Sequence, residues 1–275
     1  MTLSFQTVMP PGGAAPRRWA LVLHGILGSK TNWRTLVQRA AAAAPAWGFV
    51  LADLRNHGDS QGLDGDDTLA AAAADLEALL AARGHGADLV VGHSYGGKVA
   101  LTVGLRGVLA PSTVMVVDSN PGPRPDLHGS EDTLVVLKHL GEVGVSFAQR
   151  DDFIAAMVAL GHTAALATWL ATNLVHRDGA LSLRLDLARI RAMLDDYFAR
   201  DLWPFVEAPE GPRLRFLLGG KSEVLDDGER ARLKACAARG TRVSVEVIAA
   251  AGHWVHVDAP RETVGALADA LKSAE

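Results

Sequence analysis

Short apolar runs alternate with helical patterns along much of this 275-residue chain. Six runs rich in valine, leucine and isoleucine are predicted strands, at 19–23, 49–52, 89–91, 114–117, 215–218 and 243–247. Most of them are short and apolar throughout, as buried parallel strands are. Between them, segments 31–44 and 68–82 are predicted helices that stop at Pro45 and Gly84. Strands that alternate with helices form a mostly parallel sheet with both faces covered, so the sequence predicts an α/β fold.

The alternation stops after the Pro-Gly-Pro-Arg-Pro segment at 121–125, and roughly the next 80 residues show helical periodicity without a convincing strand. We therefore predict a core domain of residues 1–123 and 206–275, interrupted by a helical cap at 124–205. Six residues of this cap are candidates to face a substrate pocket: Met157, His162, Trp169, His176, Tyr197 and Trp203.

Composition limits the partners. The net charge is −4 and both signs are interspersed, so the chain has no basic stripe for nucleic acid or an anionic membrane surface. No apolar segment has the length of a membrane span, and the single Cys236 excludes an intrachain disulfide and a cysteine metal cluster. We expect a soluble cytoplasmic protein, or an organellar one if a transit peptide has been removed. The oligomeric state is left open.

A Gly-x-Ser-x-Gly pattern occupies residues 92–96, directly after the predicted strand 89–91 and before a predicted helix. In a strand-turn-helix setting this pattern places the serine on a sharp turn, where the glycines let strand and helix approach closely. Ser94 is therefore the candidate nucleophile, raised above the edge of the sheet with a helix N-terminus beneath it. A dehalogenase or an epoxide hydrolase would need aspartate at this position, so both are excluded.

A serine nucleophile needs an imidazole within hydrogen-bond reach, and after a motif of this kind the histidine comes last in the chain. His253 follows the predicted strand 243–247 and is the candidate base, with His256 as its competitor. The third catalytic residue, an acid that orients the imidazole, is less clear from the sequence. A Gly-x-x-Asp turn usually supplies this acid, but here Ser222 occupies the position of the aspartate. The residues leave three carboxylates open for this position: Asp118, Glu223 and Asp226.

An acyl-transfer intermediate needs two donors aimed at its oxyanion. Backbone N–H groups supply them when they come from the residue after the nucleophile and from the loop after an early strand, which assigns Tyr95 and Ile26. We expect His24 to support that loop by hydrogen bonding. Three residues of the neighbouring loop are interpreted as structural rather than catalytic: Asp53, His57 and Asp59.

Three segments carry a resemblance to a known family: Leu-His-Gly-Ile-Leu-Gly-Ser at 23–29, Asp-Leu-Arg-Asn-His-Gly-Asp-Ser at 53–60, and Val-Gly-His-Ser-Tyr-Gly-Gly-Lys at 91–98. With them the chain resembles the bacterial YbfF-type esterases and the abhydrolase domain-containing 11 proteins of the α/β-hydrolase superfamily, from Trp19 to the last helix. In that family the 53–60 loop supports the oxyanion loop. The family also has Val-Asp at the corresponding strand end and Gly-Gly-x-Ser in the later turn, which favours Asp118 as the acid and Ser222 as an accessory residue.

The expected reaction is hydrolysis of a small carboxylic ester or thioester through an acyl-enzyme, and the resemblance implies short to medium acyl chains. Neither a His-x-x-x-His helix nor a nucleotide-binding loop is present in the sequence, so no metal and no organic cofactor is expected. Two alternatives use the same triad: a C–C hydrolase and a lyase of the menaquinone-synthesis type. A third is a hydrolase-derived ligand receptor with little turnover.

Overall fold

The computed structural model describes residues 2–12, 15–177, 179–240 and 242–274. The expected domain ranges also include residues 1, 13, 14, 178, 241 and 275, which lie outside this description. The described strands are β1 (Phe5–Val8), β2 (Arg18–Leu23), β3 (Trp47–Ala52), β4 (Leu89–His93), β5 (Thr113–Val117), β6 (Leu174–Arg177), β7 (Ala180–Leu183), β8 (Arg213–Gly219) and β9 (Val243–Ile248).

The described helices are α1 (Arg34–Ala43), α2 (Leu69–Ala82), α3 (Tyr95–Arg106), α4 (Glu131–Glu142), α5 (Arg150–Ala159), α6 (Ala164–Leu170), α7 (Leu187–Ala199), α8 (Trp203–Glu207), α9 (Asp227–Ala238), α10 (Val255–Asp258) and α11 (Pro260–Ser273). Short 3-10 helices cover Lys30–Trp33 and Ala171–Asn173. Each helix in the described ranges is too short or too polar to cross a membrane.

Seven strands form the central sheet in the order β1-β3-β2-β4-β5-β8-β9. The strand β1 is antiparallel to β3, and the other neighbours are parallel. The predicted mostly parallel sheet flanked by helices is therefore confirmed, and its six predicted strands correspond to β2, β3, β4, β5, β8 and β9. The edge strand β1 was not predicted, because four residues of mixed polarity carry little periodic signal.

Successive side chains of a strand point to opposite faces of the sheet, so apolar strands place apolar side chains on both faces. Helices cover both faces here. In β3, Phe49 and Leu51 belong to the apolar cluster beneath α1 and α11. Val50 and Ala52 point to the other face, where they join a cluster that includes α2 and α3. This second cluster continues into the segment between β5 and β8, so that segment shares one apolar core with the sheet.

The segment between β5 and β8 contains α4 to α8 and also a β-hairpin, which corrects the expectation of helices alone. Its strands β6 and β7 pair antiparallel, with Leu174 opposite Leu183 and Arg177 opposite Ala180. Two four-residue strands are too short for periodicity to distinguish them from helix. The Asp-Gly dipeptide at 178–179 is the sequence signal that indicates a hairpin here.

A buried lysine joins this segment to the core. Lys98, in α3, donates from Nζ to the carbonyl oxygens of Gly122 at 2.6 Å, Tyr197 at 2.6 Å and Arg200 at 2.9 Å. Its ammonium also lies 4.4 Å from the centroid of the Tyr197 ring. Burial lowers the pKa of Lys98 to about 7, and the nearby Arg124 adds to this effect. One side chain thus binds the core loop after β5 and the C-terminal end of α7.

Candidate active site

Ser94 lies on a sharp turn between β4 and α3, with φ of 53° and ψ of −121°. A positive φ is strained for a residue other than glycine and persists when the surrounding structure holds it. A Cβ added at Gly92 would lie 1.9 Å from the Gly96 carbonyl oxygen, and one at Gly96 would lie 2.4 Å from that of His24. Strand, turn and helix therefore pack so closely that both positions require glycine.

His253 connects the serine to a carboxylate. Its Nε2 lies 3.1 Å from Ser94 Oγ, and its Nδ1 lies 2.7 Å from Asp118 Oδ2. Asp118 directly follows β5, and His253 lies in the loop after β9. Because the carboxyl ends of parallel strands meet at one edge of the sheet, residues far apart in the chain come together there.

Three donors surround the Asp118 carboxylate, which is fully buried. Oδ1 accepts from the Gly219 N–H at 2.9 Å, while Oδ2 accepts from Ser222 Oγ at 2.5 Å and faces the His253 ring. The structure thus places Ser222, which occupies the usual acid position, as a donor to the acid instead. These bonds fix the orientation of the carboxylate towards the His253 ring.

The other two candidate acids lie elsewhere. Asp226 accepts from the Glu229 N–H at 2.7 Å and caps the N-terminus of α9. Glu223 is exposed at the rim of the cavity beside Ser94. The structure therefore brings Asp118, and neither of these residues, against the His253 imidazole.

His93 and His256 form a layer behind the His253 ring. His93 Nε2 lies 2.9 Å from the His253 carbonyl oxygen, a contact that holds the loop carrying His253. His256 packs 4.6 Å from the His93 ring and stacks on Trp33 at 4.9 Å. Burial lowers the pKa of His256 to about 4 and lowers that of His93. The structure does not bring His256, the competing candidate base, to Ser94.

The two expected oxyanion donors flank Ser94. Tyr95 is the first residue of α3, so its N–H has no acceptor within the helix. Ile26 lies in a turn closed by a 3.1 Å bond from the Gly28 N–H to the Gly25 carbonyl oxygen. Both residues line a small cavity that Ser94 and His253 also line. The structure therefore brings together the positions that the sequence predicted for this role.

His24 and His57 link the Gly25–Gly28 turn to the loop after β3. His24 Nε2 accepts from the Leu54 N–H, and His57 Nε2 accepts from the Leu27 N–H, each at 3.0 Å. Both bonds require a neutral ring with its proton on Nδ1. Burial lowers the pKa of His24 and lowers that of His57 to about 3.

We expect the neutral His57 to make the protein acid-labile. An unfolded histidine binds a proton below about pH 6.5, whereas folded His57 binds one only near pH 3, so the unfolded state binds more protons between these values. His57 therefore lowers the free energy of unfolding by about 1.4 kcal/mol for each unit that the pH falls in this window. Urea titrations at pH 6.5, 5.5 and 4.5 measure this effect. The free energy of unfolding should fall less steeply with decreasing pH in His57→Gln than in the wild-type protein. Equal slopes in the two proteins would contradict a neutral, buried His57.

The remaining residues of that loop form ion pairs rather than a second site. Asp53 is fully buried and accepts from Lys30 Nζ at 2.6 Å and from the Asp59 N–H at 2.9 Å. Asp59 also pairs with Lys30 at 2.7 Å and with Arg184 at 2.8 Å. These contacts fit the structural interpretation of the loop.

A cavity of about 490 Å³ opens over Ser94 and His253. Trp169 of α6 and Trp254 line it and pack edge to face, with ring centroids 4.7 Å apart. A smaller cavity of about 20 Å³ adjoins Ser94 and is lined by Leu194 and Tyr197 of α7. Charged residues, among them Glu131, Asp132 and Lys221, also line the larger cavity, so its wall combines aromatic and apolar side chains with polar ones.

Two of the six candidate pocket residues, Trp169 and Tyr197, line these cavities. Met157 and Trp203 are buried in the apolar core. The other two lie away from Ser94: His162 contacts His139 at 2.9 Å, and His176 is exposed on β6. The sequence missed Leu194 as a lining residue because its spacing on α7 is that of an ordinary buried helix position.

Comparison with known proteins identifies relatives over most of the chain. The model of the alpha/beta hydrolase family matches residues 20–266. The sn-1-specific diacylglycerol lipase ABHD11 of Xenopus tropicalis is 31% identical over 270 residues, which cover 95% of this chain and 80% of the relative. The mouse protein of the same name is 30% identical over 253 residues, covering 90% and 79%. A solved marine microorganism esterase superposes with a TM-score of 0.81 at 20% identity, covering 98% of this chain and 99% of that one.

Proposed function

The chain belongs to the alpha/beta hydrolase family, and on that premise we propose that it is a serine hydrolase that cleaves carboxylic esters through Ser94, His253 and Asp118. The main support is a pair of consecutive contacts: Ser94 Oγ lies 3.1 Å from His253 Nε2, and His253 Nδ1 lies 2.7 Å from Asp118 Oδ2. This is the arrangement by which an imidazole activates a serine and is itself oriented by a carboxylate.

In the proposed reaction, Ser94 Oγ attacks the ester carbonyl while His253 Nε2 takes the hydroxyl proton. Asp118 stabilises the imidazolium that forms, and the N–H groups of Ile26 and Tyr95 donate to the oxyanion. His253 then gives its proton to the departing alcohol, which leaves an acyl group on Ser94. In the second half of the reaction, His253 takes a proton from a water molecule as it attacks the acyl carbon, and returns that proton to Ser94 Oγ as the acid leaves.

Ser222 has an accessory role in this proposal. Its hydroxyl donates to the same Asp118 oxygen that faces His253, while the Gly219 N–H binds the other oxygen. Both bonds fix the orientation of the carboxylate, so that His253 holds its proton on Nδ1 and presents a free Nε2 to Ser94.

The proposed substrate is a small ester or thioester with a short to medium acyl chain. The cavity over Ser94 is lined by the apolar side chains of Val136, Leu166 and Trp169, which suit an acyl group. The two vertebrate relatives are diacylglycerol lipases, whose substrate is also an ester. Because α4 and α6 supply these residues from the segment between β5 and β8, we assign residues 124–205 the role of a cap over the site.

Hydrolysis of p-nitrophenyl esters from acetate to dodecanoate by the wild-type protein tests the proposal. We expect saturable turnover that declines at the longest chains, and acyl-thioesters of matching length are assayed beside them. Absence of turnover across both series would contradict the proposal. Binding of the esters without turnover would instead favour a ligand receptor, and cleavage of a C–C bond substrate alone would favour the C–C hydrolase or lyase alternatives.

A further inference from the structure

A side chain from the cap segment binds the turn that carries the proposed oxyanion donor. Asn173 ends the 3-10 helix Ala171–Asn173 and is 2% exposed. Its Nδ2 donates to the Leu27 carbonyl oxygen at 2.9 Å, a contact between residues 146 positions apart in the chain. We propose that Asn173 is a positioning residue for the Gly25–Gly28 turn and makes the Ile26 donor depend on the placement of the cap.

The Gly25–Gly28 turn needs contacts from other parts of the protein, because the backbone conformation of its third residue, Leu27, is unfavourable for a leucine. Leu27 has φ of 61°, a conformation that glycine usually supplies at the third position of such a turn. A leucine remains in this region when surrounding contacts hold it. Two contacts do so here: the Leu27 N–H donates to His57 Nε2, and the Leu27 carbonyl accepts from Asn173.

These two contacts fix the peptide planes on both sides of Leu27. His57 binds the plane that joins Ile26 to Leu27, and Asn173 binds the plane that joins Leu27 to Gly28. Rotation of Leu27 towards a negative φ would turn one or both planes and would move Ile26 with them. Loss of the Asn173 bond therefore lets the turn relax at the place where a backbone donor must meet the oxyanion.

The turn also packs directly on the nucleophile, so its movement reaches Ser94. A Cβ added at Gly25 would lie 3.3 Å from the Ser94 Cβ and 3.0 Å from His93 Nδ1. Oxyanion stabilisation depends on donors placed before the reaction begins, and a shift of about 1 Å can cost two orders of magnitude in rate. Asn173 thus acts on the transition state through Ile26, without contact to the reacting atoms.

The fold anchors Asn173 well enough for this task. Its own carbonyl oxygen accepts from the Arg184 N–H at 2.9 Å, which closes the base of the β6–β7 hairpin. The Arg184 side chain makes a second contact from the hairpin to the core, at 2.8 Å from Asp59. That contact is exposed and does not touch the Gly25–Gly28 turn, so Arg184 provides a matched control.

The experiment compares Asn173→Ala and Asn173→Asp with Arg184→Ala. The readouts are kcat and KM for a p-nitrophenyl ester and the rate at which a fluorophosphonate labels Ser94. Both asparagine variants should lose about 10- to 100-fold in kcat and in labelling rate, with KM within about threefold of wild type. Arg184→Ala should stay within about twofold on every readout. Rates are normalised to folded protein by near-UV circular dichroism, and Asn173→Asp preserves the side-chain volume if the alanine variant unfolds.

Retention of the wild-type kcat and labelling rate in the asparagine variants would overturn the inference, as would a rise in KM alone. An equal loss of kcat and labelling rate in Arg184→Ala would also overturn the inference. Any contact that anchors the β6–β7 hairpin to the core would then explain the lower rates. The inference rests on the proposed function, but the two can fail separately. Wild-type protein that is labelled at Ser94 yet hydrolyses no ester refutes the ester proposal, while the labelling rates still decide the role of Asn173.

Discussion

Replacement of Ser94 by alanine is expected to lower kcat for a p-nitrophenyl ester by roughly 10⁶-fold. The reason is that Ser94 Oγ forms the acyl-enzyme. Among the described contacts, it is the hydroxyl that lies within hydrogen-bond distance of His253 Nε2, at 3.1 Å. The remaining rate comes from bound water and the backbone donors. Progress curves at high enzyme concentration measure this loss. The initial burst of p-nitrophenol reports acylation of Ser94, and the steady rate that follows reports complete turnover.

A matched serine control separates this loss from general damage. Ser112 is exposed before β5 and bonds to the Asp88 and Ala274 carbonyls, away from the cavity. Ser112→Ala should keep the wild-type kcat and the burst. A Ser94→Ala protein that retained more than a tenth of the wild-type rate would assign the turnover to another residue.

Replacement of Asp118 by asparagine is the second large effect, with an expected fall in kcat of about 10⁴-fold near neutral pH. The Gly219 N–H needs an acceptor at the Oδ1 position, so it orients the new amide with its oxygen there. The amide nitrogen then faces His253 Nδ1 and demands an acceptor from the ring. His253 must move its proton to Nε2, where it can no longer take the proton of Ser94.

The neighbouring polar residues supply the controls for this variant. Glu223→Gln and Asp226→Asn should stay close to the wild-type rate, because the first side chain is exposed at the rim and the second caps α9. Ser222→Ala removes one of the donors to Asp118 and should cost about tenfold. A near wild-type rate in Asp118→Asn beside a collapse in Glu223→Gln would move the acid to position 223.

Strands β3, β4 and β5 were predictable because they are buried on both faces and contain unbroken apolar runs. The edge strand β9 is only partly buried, and its valines alternate with polar residues. The strands that the prediction missed lie at an edge or in a hairpin. β1 reads Phe-Gln-Thr-Val and β6 reads Leu-Val-His-Arg, so neither has the apolar composition or the length that separates a strand from its surroundings. The local sequence pattern is therefore weak where a strand is only four residues long and of mixed polarity.

The candidate site shows the same division. The glycines around Ser94 and the final position of His253 follow from local backbone requirements, so the sequence could indicate both. The acid could not be chosen from the residues alone, since Asp118, Glu223 and Asp226 all follow strands near the required edge. The bond from Asn173 to Leu27 was beyond prediction, because it depends on where a helical segment folds back on the sheet.

The three carbonyls around Lys98 hold the proposed cap against the core. Movement of the end of α7 away from α3 would leave the buried Lys98 amine without its acceptors at Tyr197 and Arg200, which costs more than the loss of an exposed contact. We therefore expect that end of α7 to stay in place if the proposed cap moves. Trp169 packs edge to face against Trp254 beside the cavity over Ser94, and we expect a substrate to enter past this aromatic pair.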